Sequence, residues 1–147
     1  MRWWAFFKVP MIWLTRASVE QLSDQRCVVR IPFRKRNRNH VGSMYIGVLC
    51  VGADVAGGLM AMRRIERSGR NVSLIFKDVK AEFHKRAEGA VHFVCEDGEA
   101  IGALVDRTLA SGERENATVS VRAMVPDKLG DEPAATFHLT LSLKRRD

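Results

Sequence analysis

The run from Met44 to Arg67, MYIGVLCVGADVAGGLMAMRRIER, constrains the fold of this chain more than any other stretch. It is apolar up to a charged end, with one acid, Asp54, near its middle. As a helix rising ~1.5 Å per residue it is roughly 36 Å long, the width of a small domain, and so predicts a core axis. Gly42-Ser43 predicts a turn and N-cap before it. Arg63, Arg64 and Arg67 followed by Ser68-Gly69 predict its end. Gly47, Gly52, Ala53, Ala56, Gly57 and Gly58 are small residues in a row where each Gly costs ~1 kcal/mol against Ala, and they predict backbone packed closely on backbone.

Strand patterns flank this axis. Cys27, Val29, Ile31 and Phe33 alternate with Val28, Arg30, Pro32 and Arg34, which predicts a half-buried strand near an edge, with a weaker strand before it over 17–22. After the helix, Val72, Leu74 and Phe76 share one phase and Val79, Ala81 and Phe83 the other. The slip at Lys77-Asp78 predicts a bulge that bends a long strand. A further strand over 90–95 precedes a helical stripe of Ile101, Leu104, Val105 and Leu109, with Asp97 as N-cap and Gly112 as stop. Val119 to Val125 and Phe137 to Leu143 then alternate cleanly around the turn residues 126–131. The order predicts one α+β domain over 1–147, an antiparallel sheet wrapped around the helix at 44–67.

Composition narrows the class. The 147 residues, 46% hydrophobic and 28% charged, suit one folded globular domain. Cys27, Cys50 and Cys95 are odd in number and each lies in an apolar run, so they read as reduced core cysteines of a cytoplasmic protein. No C-x-x-C spacing occurs and His40, His84, His92 and His138 are scattered, which argues against a metal site. The start, MRWWAFFKVPMIWLTR, is interrupted by Lys8 and Pro10 and falls short of the ~20 apolar residues of a membrane span. Residues 1–15 are expected to form a short amphipathic helix capping the domain; the alternative is a membrane-surface anchor, which the Trp, Phe and Lys content also fits. The net charge of +7 is concentrated at Arg34 to Arg38 and Lys144 to Arg146. No aromatics interleave with these runs, so nucleic-acid binding is not expected. Glu96-Asp97-Gly98-Glu99 lacks the rest of a calcium loop and reads as a turn and helix start.

Asp54 is the residue whose chemistry most needs explanation. Cys50, Val51, Gly57 and Gly58 surround it at helical spacing, so its carboxylate leaves an uncharged patch. Such an acid is paired with a neighbouring strand or subunit, neutralised, or functional.

The pattern Asn39-x5-Tyr45-Ile-Gly47-x6-Asp54-x2-Gly57 resembles the helix-entry motif of hotdog-fold acyl-CoA thioesterases of the phenylacetate-pathway (PaaI-like) type, in a divergent form. Their pattern is His-Gly-Gly, then an acid nine residues after the His. The resemblance extends to the element order over roughly residues 16–145. It implies that Asp54 is the catalytic acid, acting as nucleophile or as general base on water. Tyr45 falls on the His, Ile46 on the first Gly and Gly47 on the second, and the N–H at Ile46 takes the place of the group that holds the thioester carbonyl. Asn39 falls where some relatives set an amide beside the substrate. Gly58 stands where many carry a hydroxyl that orients water.

The resemblance further implies a homodimer, possibly paired again into a tetramer, in which Ile46 and Gly47 of one chain face Asp54 of the other. It implies an acyl-coenzyme A substrate and no cofactor. Lys80, Lys85 and Arg86, with the Arg34 to Arg38 run, are the candidate partners of the coenzyme's phosphates. The replacements at Tyr45, Ile46 and Gly58 keep open an alternative, an acyl or acyl-CoA binding protein without turnover.

Overall fold

The computed structural model describes residues 8–147. Along the chain run α1 (Pro10–Thr15), β1 (Ser18–Leu22), β2 (Cys27–Ile31), a 3-10 turn (Lys35–Asn37), α2 (Ile46–Ser68), β3 (Val72–Phe83), β4 (Val91–Cys95), α3 (Gly98–Ser111), β5 (Glu115–Met124), the one-turn helix α4 (Pro126–Leu129) and β6 (Pro133–Arg145). The strands form one antiparallel sheet in the order β1-β2-β4-β5-β6-β3. The expected α+β architecture is therefore present. Of the helix expected over 1–15, residues 10–15 are helical, and residues 1–7 lie outside the described part.

Alternation puts Val29 and Ile31 of β2, Phe93 of β4, Val119 and Val121 of β5, and Phe137 and Leu139 of β6 on one face, where all are buried. Helix α2 lies across that face and buries Val48, Leu49, Ala53, Val55, Ala56, Met60 and Ala61 against it. Helix α2 is long and apolar enough to cross a membrane, and in this fold it is the core helix. The opposite face of the sheet is polar: His138 meets Ser120 at 3.0 Å, and Thr118, Thr140 and Asp78 form a hydroxyl–carboxylate chain.

The phase slip in β3 is a bulge. Its pairing with β6 shifts between Phe76 and Asp78, so Leu74 and Phe76 before it and Val79, Ala81 and Phe83 after it face the same side. β3 is an edge strand, and Val79 and Phe83 are exposed although they follow the buried phase of β6.

Two local expectations are corrected, and a third, the Asp97 cap, holds in position only. The core helix starts at Ile46, with Tyr45 rather than Ser43 at the N-cap. Met44 is held extended by its bridge to Arg38 and by its N–H to the Ala87 carbonyl at 2.8 Å. Asp97 occupies the N-cap position of α3, yet its carboxylate accepts the Ser120 N–H at 2.6 Å and makes no cap bond. β4 pairs with β5 only as far as Arg122, which leaves that N–H available. The glycines of α2 also have side chains, not a neighbouring backbone, as their nearest contacts. A Cβ on Gly52 would lie 2.2 Å from the Phe93 ring, whereas one on Gly57 or Gly58 would find its nearest neighbour at an ordinary 3.5 Å.

Candidate active site

The start of α2 is built by its neighbours. The Tyr45 N–H donates to the Asn37 carbonyl at 2.8 Å, and the Tyr45 carbonyl accepts from Val48 and Leu49 at 2.9 and 3.1 Å. Asn37 is buried, and its Nδ2 donates to the carbonyls of Thr15 at 3.0 Å and Pro32 at 2.8 Å. One amide thereby ties α1, the end of β2 and the entry of α2 together. Tyr45 brings no oxygen into cap range. The N–H groups of Ile46 and Gly47 consequently have no acceptor among the described residues. The Tyr45 ring lies against Gly47, where a Cβ would approach a ring carbon to 2.6 Å.

The loop before α2 is stiffened from within. Asn39 Oδ1 accepts from Val41 at 3.1 Å and from Ser43 at 3.0 Å, so its carbonyl oxygen is committed to the loop. Arg86 donates through Nε to Ser43 Oγ at 2.9 Å, also bonds the Val41 carbonyl, and pairs with Glu88 at 3.3 Å. Lys85 is ion-paired with Glu132, whose carboxyl it holds below the usual range. Asn39, Tyr45, Ile46, Phe83, Lys85 and Arg86 line one groove of about 510 Å³. Lys80 stands apart from it, exposed and paired with Glu82 at 3.8 Å.

Asp54 sits eight residues further along α2, about 12 Å along its axis and turned to another side. It is half-buried and lines a slot of about 110 Å³ with Val9, Ile12, Gly58, Met62 and Phe76. No described residue hydrogen-bonds or ion-pairs with it. Burial raises its pKa above the ordinary carboxylate value, because the charged form is poorly solvated there.

The family described as "Domain of unknown function (DUF4442)" matches residues 1–143. This chain belongs to that family. A comparison with curated proteins finds no match. Among solved structures, a protein of unknown function from Chlorobaculum tepidum superposes with a TM-score of 0.84 at 12% identity, over 99% of this chain and 92% of that one. A protein from Pseudomonas aeruginosa, named a probable thioesterase, superposes at 0.79 with 22% identity, over 99% and 93%. A thioesterase from Haemophilus influenzae gives 0.69 at 11% identity, over 95% and 86%. The curved sheet around α2 is the hotdog fold these proteins share.

Within one DUF4442 chain, then, the two halves of the expected site stay apart. Asn39, Tyr45, Ile46, Lys85 and Arg86 gather at the N-terminus of α2, while Asp54 and Gly58 share the slot two turns on. The sequence reading missed Asn37 and the Arg86 clamp. Asn37 stands inside a run of arginines and lysines, and its burial is set by contacts with Thr15 and Pro32 that no local pattern signals.

Proposed function

We propose that this DUF4442 protein hydrolyses acyl thioesters of coenzyme A at a site completed by two copies of the chain. The reading is carried by Asp54, a half-buried carboxylate without a partner among the described residues, in a slot of apolar side chains. A charge held this way is costly unless it is used, and desolvation makes it a stronger base. Two N–H groups at the positive end of a helix, those of Ile46 and Gly47, lack acceptors among the described residues, as a site for a developing oxyanion requires.

Two copies bring these halves together. In a two-fold dimer the surface around Ile46 of one chain meets the surface around Asp54 of the other, and the relation is reciprocal. The free edge of β3 and the exposed Val79 and Phe83 supply a surface suited to that pairing.

Asp54 removes a proton from water, and the hydroxide attacks the thioester carbon. The oxyanion is held by the N–H of Ile46, with Gly47 beside it. Collapse expels the thiolate, which takes up the proton. Direct attack by the carboxylate, giving a mixed anhydride that water then cleaves, uses the same groups. Lys85 and Arg86 at the rim of the first groove meet the coenzyme's phosphates by exchanging their present carboxylate partners.

A second reading is favoured by one observation. The Tyr45 ring covers Gly47 beside the donors, as suits a protein that binds acyl-CoA and does not turn it over. Hydrolysis of an acyl-CoA panel, measured for the native chain and for Asp54→Asn, separates the two. Turnover lost in the variant supports the hydrolase, and tight binding without turnover on any chain supports the binder.

A further inference from the structure

The slot at Asp54 does not end at Gly58. Val9, Leu59, Met62 and Leu74 line both that slot and a second groove of about 720 Å³, which continues past Leu22 and Val72. The two form one path along α2, walled on one side by the residue leading into α1 and on the other by the start of β3. From Asp54 to Glu66 it follows twelve residues of helix, about 18 Å. Among the described residues, the lining between the carboxylate and the far mouth is apolar except for Arg63. Arg63 Nη1 is fixed on the Leu22 carbonyl at 2.7 Å, and exposed Glu66 stands at the far mouth.

We infer that the acyl group taken at Asp54 is a long unbranched aliphatic chain lying along this path from Gly58 towards Glu66. The inference rests on the thioesterase reading for the placement of the carbonyl, and on the groove alone for the chain. The part nearest Asp54 is a slot of about 110 Å³ that runs on into the longer groove, a shape that suits an extended methylene chain. With ~1.5 Å bonds at tetrahedral angles a chain advances ~1.25 Å per carbon, and ~18 Å accepts about fourteen carbons. Glu66 sets that limit, because further methylenes gain nothing beside an exposed charge.

Two measurements test this on the full chain: kcat/KM for saturated acyl-CoAs and phenylacetyl-CoA, and calorimetric affinity for the matching S-alkyl-coenzyme A thioethers, which cannot be hydrolysed. Each added methylene is expected to raise kcat/KM and affinity about fourfold up to a plateau near fourteen carbons. Met62→Trp, which fills the path two turns beyond Asp54 at a partly exposed position, shortens the plateau in both readouts. Leu59→Phe does the same to a smaller extent. Chain-dependent thioether binding with no turnover sinks the hydrolase and leaves the acyl path standing. Turnover that is flat with chain length, or fastest with phenylacetyl-CoA, overturns the path and leaves the hydrolase.

Discussion

The ring of Tyr45 lies against the backbone of Gly47 so closely that a methyl group there would stand 2.6 Å from a ring carbon. Both belong to the start of α2, beside the N–H groups of Ile46 and Gly47. The ring is half exposed and free to turn outward, so Gly47→Ala displaces it without strain on the backbone. The gain in helix propensity, ~1 kcal/mol, keeps stability from falling. Tyr45 is the single tyrosine, so its ring signals in NMR report the movement. With the ring moved from beside the donors, kcat/KM is expected to rise about fivefold, equivalent to ~1 kcal/mol of barrier; a fall would make the ring a substrate contact.

Asp54→Asn is expected to lower kcat/KM at least ~100-fold, the usual contribution of a general base. It is also expected to stabilise the protein at neutral pH. The folded-state pKa of Asp54 lies above its unfolded value, so the acid favours the fold below the ordinary carboxylate range, near pH ~3.9, and that contribution is lost as pH rises through the folded pKa. Asparagine has no charge to desolvate. Denaturant unfolding should show the variant ahead at pH 7 and the difference shrinking towards pH 3. In the native protein the acid limb of kcat/KM should lie above pH ~3.9.

Two glycines one turn and a half apart on α2 separate close packing from mere smallness. Gly52→Ala drives a methyl group into the ring of buried Phe93 and is expected to cost about 1–3 kcal/mol. Gly58→Ala meets only the edge of Phe76 at 3.5 Å and is expected to stabilise by up to ~1 kcal/mol. Urea midpoints of the two variants should move in opposite directions.

That contrast marks where the sequence stops being legible. The length of α2, the bend in β3 and the β5–β6 pairing follow from local periodicity, because alternation and helical spacing are recorded in neighbouring residues. Gly52 and Gly58 look alike in sequence. What tells them apart is Phe93, which arrives from a strand forty residues on. Asp97 and Ser43 each carry a good capping side chain, and each is drawn off by a partner distant in sequence, Ser120 and Arg86. Asp54 was legible because an acid among apolar residues is conspicuous. Asn37 was not, because an amide among arginines looks like surface.

The shared site makes a prediction that a site within one chain cannot meet. Ile46 is the first residue of α2, where proline is tolerated, and Tyr45 before it already holds φ −64° and ψ 139°, the extended geometry proline demands of its predecessor. Ile46 is also half exposed, so little packing is lost. Ile46→Pro therefore removes one N–H and keeps the helix, and is expected to lower kcat about 100- to 1,000-fold, as loss of an oxyanion donor does. Ile46→Pro and Asp54→Asn chains are each inactive alone. Co-refolded in equal amounts, half of the dimers are mixed, and each mixed dimer joins the intact Ile46 of one chain to the intact Asp54 of the other at one of its two sites. About a quarter of native activity should return. No recovery, with mixed dimers shown to have formed, would place both groups in the same chain.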